Sequence, residues 1–335
     1  MGSKTKSSGS ILPFRRKYAL FLGIFGLLVL LVAGIRAAGK GGKGQKNPKL
    51  CIFGTTMFSS TMSSNKNFNN SSEPNPKPAN SQVRLSESLR AIQAASSLGI
   101  PIFIVDNSDD ASIRHQLRSH GAHVRKQTKP GRKGQGLREA LQMALDHVEE
   151  QWNHDDDDDD TLNNIVFAFQ EIEKSDMIRH WETVRFAMRS TNSDIGVPRR
   201  EEKNFRNTYP LAQYHSEKFV NIYLNELARD EVEYWDDDPD DDLDWTFGPF
   251  AFRKHLAEYW LSYDGDFDMW DAQILPMARA IYNGAKFASV EVAFKASAGM
   301  KGEEEGNRAF TSKRLQQLNL VIEKVVAGFK LWKNY

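Results

Sequence analysis

Cysteine is nearly absent. The 335-residue chain has one, Cys51, so no intrachain disulfide can form. A single cysteine that opens an apolar stretch reads as a small buried hydrophobe. Net charge is also absent: 44 Lys and Arg stand against 44 Asp and Glu. No basic stripe interleaved with aromatics runs along the chain, which argues against a nucleic-acid partner. Acidic residues are missing from residues 1–47, which hold nine Lys and Arg. The remainder carries 35 basic and 44 acidic residues, a net of −9. Two aspartate runs, 155–160 and 236–244, supply 13 of those acids, so the body is not acidic apart from them. A like-charge block of this kind reads as a solvated segment.

Long charge-free runs are scarce too. The prominent one is Tyr18 to Ile35, eighteen residues flanked by Arg15, Arg16, Lys17 and Arg36. That is close to the minimum for a helix crossing a hydrocarbon core of about 30 Å, and longer than the usual apolar core of a cleaved signal. The expected layout is a cytosolic basic tail (1–17), a transmembrane signal-anchor (18–36), a flexible stem (37–48) and a globular domain (49–335). Asn69-Asn70-Ser71-Ser72 holds two overlapping glycosylation acceptors, which suits a lumenal body. A single-pass type II protein of the Golgi or endoplasmic reticulum is expected.

From residue 49 onward, apolar runs alternate with helix-period segments. Strands are expected at 49–58, 100–108, around 122–127 and at 165–169, with helices at 81–99, 110–121 and 136–152. Strand–helix alternation predicts an α/β fold with a mainly parallel sheet covered by helices on both faces. In such sheets ligands bind beyond the carboxyl ends of the strands. Polar residues cluster at those ends: Thr55 and Thr56, then Asp106 and Asn107, then Glu171 and Glu173 with Lys174 beside them.

Each cluster permits chemistry and each has a plainer reading. Asp106 can accept hydrogen bonds from a base or ribose, or serve an Asx turn. The loop 129–140, KPGRKGQGLREA, is basic and glycine-rich and opens a helix, which suits a diphosphate; its spacing is neither the P-loop nor the dinucleotide fingerprint. Glu171 and Glu173 offer hard oxygens to Mg²⁺ or Mn²⁺. Asp266, Asp268 and Asp271 precede a helix; a cap explains one of the three, and a general base is a role for another. Gly248 and Pro249 form a turn flanked by aromatics, either a wall for a sugar or part of the core. His215 and His255 read as structural or surface residues.

The ordered set VDNS, PGRKGQGLREAL, EIEKSDMI, VPRR, YPLAQYHSEKFVN, DWTFGPFAF, MWDAQILPMARAIYNGAKFASVEVAF and EEEGNRAFTSKRLQQLN resembles the GT-A fold nucleotide-sugar glycosyltransferases of the family 2-like type. It is similar to a branch with E-x-E-K after the fourth strand. The resemblance implies a Rossmann-like GT-A domain that transfers a sugar from a nucleoside-diphosphate sugar to a hydroxyl acceptor. It implies nucleotide and phosphate contacts at Thr55, Asp106, Arg132, Lys133 and Arg138. Glu171 and Glu173 stand where the family has Asp-x-Asp, the ligands of a divalent cation. Asp271 or Asp268 takes the place of the acceptor-deprotonating base, and Arg199, Arg200, Glu217 and Asp244 fall on the acceptor side. Two rivals share parts of the pattern: a sugar nucleotidyltransferase, and a non-catalytic binding protein on a degenerate GT-A fold.

Overall fold

β1 (Leu50–Thr56) and β2 (Ile102–Asp106) lie side by side, parallel, in the middle of the molecule and are buried along almost their whole length. Their side chains alternate strictly between two cores. Cys51, Phe53, Phe103 and Val105 enter one; Leu50, Ile52, Ile102 and Ile104 enter the other. Near-continuous apolar runs become strands covered on both faces because period-two alternation sends successive residues to opposite sides. The computed structural model describes residues 49–58, 80–152, 165–235, 238–265 and 267–333. The expected tail, anchor and stem, the acceptors at Asn69 and Asn70, the aspartates 155–160 and Asp266 lie outside the described residues. Among the described residues, no helix is long and apolar enough to cross a membrane.

Five further strands complete one sheet: β3 (His123–Lys126), β4 (Val166–Phe169), β5 (Ile195–Arg200), β6 (Phe250–Arg253) and β7 (Phe287–Val292). The order is β3-β2-β1-β4-β6-β5-β7. Every neighbouring pair is parallel except those of β6, which runs antiparallel to β4 and β5. The mainly parallel α/β expectation therefore holds, with one reversed strand inside the sheet. The helices are α1 (Asn80–Ser97), α2 (Ala111–Ser119), α3 (Lys133–Trp152), α4 (Trp181–Ser190), α5 (Glu202–Thr208), α6 (Leu211–Glu231), α7 (Ala257–Leu261), α8 (Asp271–Tyr282), α9 (Ala298–Glu304) and α10 (Arg308–Trp332). α3 begins three residues before the expected Gly136, because Gly131 (φ +83°) takes the turn and frees Lys133 to start the helix.

The aromatics of the DWTFGPFAF stretch belong to the core. Phe252 stacks on Trp260 at 4.1 Å, and Phe250 on the same indole at 5.1 Å. Phe53 meets Phe169 edge-on at 5.6 Å. The sugar-wall alternative for Phe250 and Phe252 thus gives way to packing. Within the second aspartate run, Asp242 is less solvated than expected, because it pairs with Arg229; Asp244, which leads out of the run, is buried against Arg200.

Gly54 sets how closely the chain after β4 approaches β1. A Cβ there would stand 2.2 Å from the Gln170 carbonyl oxygen and 2.6 Å from the Ile172 side chain. Backbone cannot yield as a side-chain tip does. Gly54→Ala is expected to cost about 1–3 kcal/mol, the usual penalty for overpacking. Urea denaturation measures it; an unchanged midpoint would contradict this close approach.

Candidate functional site at the carboxyl ends of β1 and β4

Gln170 directly follows β4 and is held on several sides. Its backbone N–H donates to Phe53, its Oε1 accepts from Trp181 Nε1 at 2.7 Å, and its Nε2 donates to the Lys174 carbonyl at 3.1 Å. The chain then turns: Lys174 N donates to Glu171 O at 2.9 Å. That turn brings two side chains together. Lys174 Nζ lies 2.6 Å from Glu171 Oε2 and also donates to the Phe247 carbonyl. Lys133, from the first turn of α3, meets the other carboxylate oxygen at 2.9 Å and sits 3.5 Å from the centre of the Trp270 ring.

Two ammonium groups therefore flank one carboxylate, and each of the three side chains is mostly buried. Burial would raise the Glu171 carboxyl, but Lys133 and Lys174 together hold it far below the usual carboxylate range. Burial pulls Lys133 below its ordinary value, and Glu171 only partly offsets this. For Lys174 the balance tips the other way: burial lowers it, and Glu171 outweighs burial. The trio carries one surplus positive charge.

Glu173 faces Arg84 of α1 at 2.9 Å, and the same guanidinium reaches Glu304 of α9 at 3.2 Å. Burial raises the Glu304 carboxyl, and Arg84 only partly offsets it. Across the site, at the end of β5, Arg200 binds Asp244 through Nε (2.6 Å) and NH2 (2.7 Å), and Glu217 of α6 through NH1 (2.7 Å). Phe205 covers its guanidinium at 3.5 Å. Burial opposes the charge on Arg200, but Asp244 and Glu217 raise its proton affinity well above the ordinary value. Burial would raise Asp244; Arg200 brings it below the usual range instead.

Several of these groups line one cavity of about 520 Å³; Lys133, Asp244 and Phe205 stand behind its wall. Glu171, Glu173 and Lys174 come from the β4 end, Arg84 from α1, Arg200 from β5, Glu217 from α6, Trp270 from the loop before α8, Glu304 from α9 and Arg314 from α10. Eight Lys or Arg and six Asp or Glu line it, so the lining favours a ligand with some negative charge.

Not every expected residue reaches it. Asp106 is fully buried; its oxygens accept from Thr56 Oγ1 (2.9 Å), Ser108 Oγ (2.6 Å) and Arg114 NH1 (3.0 Å). It ties together the end of β2 instead of facing a ligand, and it does not share the cavity of Glu173. Thr55 packs against Gly136, where a Cβ would stand 3.0 Å from its methyl. Arg132 is exposed, and its carbonyl accepts from Gln127 Nε2, which closes the basic loop on itself. Arg138 grips Asp268 with both arms at 2.7 and 2.8 Å. The Asp268 carbonyl accepts from Gly134 N at 2.8 Å, so the α3 start is covered by its own chain. Of the basic-loop residues, Lys133 alone joins the Glu171 cluster.

Asp271 is 1 % exposed and accepts from Tyr263 OH at 2.6 Å and Met269 N at 2.8 Å. Neither it nor Asp268 lines the cavity; Trp270, between them in sequence, does. Arg199 lies 3.6 Å from Asp240, while Arg200, Glu217 and Asp244 form the hub described above. Asp244 supports Arg200 from behind, because Arg200 and Glu217 line the cavity and Asp244 does not.

Glu171 and Glu173 do not make a chelating pair in this arrangement. The first is clamped by two ammonium groups and the second by a guanidinium, the reverse of the electron-rich oxygen set that a hard cation needs. Among the described residues, no group of three His, Cys, Asp or Glu is placed to hold a metal ion.

Sequence reasoning gave no role to Lys174, Arg84, Trp270, Glu304 or Arg314. Lys174 was visible in EIEK, and Glu304 and Arg314 in EEEGNRAFTSKR, but only the turn and the return of the last helices bring them to one place.

No family model matches the chain, and no curated protein does. Similar solved structures include glucosyl-3-phosphoglycerate synthase from Mycobacterium tuberculosis in complex with phosphoglyceric acid, at 13% identity and a TM-score of 0.47, covering 84% of this chain and 80% of that one. The same enzyme with Mn²⁺, uridine diphosphate and glucosyl-3-phosphoglycerate gives 13% and 0.49 over the same shares. CMP:2-keto-3-deoxy-manno-octonic acid synthetase complexed with CTP gives 11% and 0.36, covering 73% of this chain and 90% of that one.

Proposed function

We propose that this chain is a glycosyltransferase that moves a sugar from a nucleoside-diphosphate sugar to a hydroxyl acceptor. One observation carries the reading: the cavity at the carboxyl ends of β1 and β4, where a lysine-clamped carboxylate faces a buried arginine hub across about 520 Å³. That is the edge of a mainly parallel sheet where polar ligands gather.

The chemistry follows from the charges. The bond from the anomeric carbon to the diphosphate oxygen breaks, and the diphosphate leaves with the electron pair. The surplus positive charge of the Lys133–Glu171–Lys174 trio suits that developing negative charge. The acceptor oxygen bonds to the anomeric carbon and gives up its proton. Glu304 is the cavity carboxylate with raised proton affinity, the property needed to take that proton. It takes the place of Asp268 and Asp271, which do not line the cavity. Residues 18–36 are proposed, from the sequence, to hold the enzyme on a membrane.

A thermal-shift screen tests this. Nucleoside-diphosphate sugars, UDP-glucose among them, are expected to raise the midpoint by mass action, with little change when a chelator replaces Mn²⁺. Nucleoside triphosphates with sugar phosphates are expected to release no pyrophosphate. No shift with any donor would contradict the reading, and pyrophosphate release would favour a nucleotidyltransferase.

A further inference from the structure

α6 turns one side to the core and leaves the other uncovered among the described residues. Val220, Leu224 and Ala228 enter the core on one face of the sheet, and Gln213 and Glu217 reach the cavity. The opposite side carries Leu211, Phe219, Ile222 and Tyr223, all exposed, Phe219 by 66 % and Ile222 by 54 %. At 3.6 residues per turn, these four fall within about 120° of the helix circumference. Leu315 of α10 shares a groove with Ala212 and Ser216 beside them. This side is also free of acid: between 211 and 223 the one acidic residue is Glu217, buried against Arg200. Lys218, paired with Glu202 of α5, stands at its shoulder. By contrast Phe186, exposed on α4, stands among Glu182, Arg185 and Arg189 of its own helix.

A contiguous exposed apolar face marks a contact surface, and the layout of the chain selects what covers it. Trp235, just past α6, meets Phe287, the first residue of β7, at 4.4 Å between ring centres. β7 runs parallel to β5, and β5 has the direction of β1. α6 therefore ends at the edge of the sheet where β1 begins, the edge at which residue 49 opens the domain. The stem expected at 37–48 is twelve residues long. A glycine-rich chain of that length spans about 20 Å, against about 50 Å for a domain of this size. With residues 18–36 in a bilayer, such a stem holds that edge close to lipid. An apolar stripe with aromatics, a lysine at its flank and no acid is the make-up of a helix that lies in the headgroup layer. We infer that the α6 face of Leu211, Phe219, Ile222 and Tyr223 rests on the lipid bilayer, a second membrane contact made by the domain itself. This rests on the anchor proposed for residues 18–36 and adds an orientation: the cavity wall made by Gln213 and Glu217 lies beside the lipid.

Cys51 is buried, so a thiol dye goes to an introduced cysteine. The full chain is prepared with Ile222→Cys, or with Phe186→Cys as the control, whose helix packs on the other face of the sheet. Each is labelled with an environment-sensitive dye and placed in phosphatidylcholine nanodiscs. Nitroxide-bearing lipid is expected to quench the dye at 222 about threefold more than the dye at 186, and iodide in the water to quench it about threefold less. Adding Phe219→Asp is expected to abolish the difference with circular dichroism unchanged, because Phe219 is exposed. Chain held in the discs with equal quenching at the two positions overturns the docking and leaves the anchor standing. Shielding of 222 from iodide that grows with protein concentration, without quenching by lipid, overturns it in favour of a second copy of the chain. Chain that does not stay with the discs overturns anchor and docking together. The donor screen is independent of all three results.

Discussion

Lys174→Ala is expected to lower sugar transfer by about 10²- to 10³-fold, the scale seen when one preorganised electrostatic donor is removed. Lys174 is placed by the backbone turn that follows Gln170, by Glu171 at 2.6 Å and by the Phe247 carbonyl. It cannot swing away without leaving a buried carboxylate and a carbonyl short of a partner. Its charge is therefore already in place when the diphosphate departs, with no reorganisation at the moment of reaction. The fold should survive, because Lys133 still answers Glu171 at 2.9 Å. The measurement is the turnover of the variant with whichever donor shifts the wild-type midpoint, alongside its circular dichroism. Transfer within threefold of wild type, on the order of 0.7 kcal/mol, would remove Lys174 from the mechanism.

Arg200→Met should act on stability instead. Arg200 is nearly sealed, with Asp244 and Glu217 bonded to its three nitrogens. Its removal leaves two buried carboxylates facing each other, and breaking such a pair costs about 3–5 kcal/mol. The pH dependence should invert. In the wild type, Arg200 holds the Asp244 carboxyl below its unfolded value. That contribution is fully present above about pH 4, the unfolded carboxylate range, and is lost as pH falls through the lower folded value. In the variant Asp244 loses the guanidinium that lowers its carboxyl and keeps the burial that raises it. The variant should therefore lose stability as pH rises from about 4 to 7, where the wild type holds level. Urea midpoints across that range measure both. A variant parallel to wild type at every pH would mean that the hub carries little energy.

The fold was legible where one physical rule dominates. Uninterrupted runs such as IFIVD and VFAF have no reading but buried strands, and Glu171 and Glu173 fell where a parallel sheet puts its polar tips. The reversed β6 was not legible, because FAFR pairs as well in either direction and the order of β4, β6 and β5 is set by packing across the sheet. Site residues were misread for a related reason. Asp106, Asp268 and Asp271 carry the right chemistry at the right chain positions, but Arg114, Arg138 and Tyr263 turn their oxygens inward. Sequence gives a carboxylate, not its partner. The loop 129–140 suits a diphosphate on its sequence, but its glycines at 134 and 136 are small because Asp268 and Thr55 press against them.

The central claim is that one cavity, between the end of β4 and the α6–α10 wall, holds the nucleotide sugar. Hydrogen exchange with and without a saturating nucleoside-diphosphate sugar tests it most directly. Added protection is expected in residues 170–176, in 208–217 and in 308–317, with none in the α2–β3 region around 111–126. Protection confined to 106–126, with the β4 end unchanged, would contradict the account.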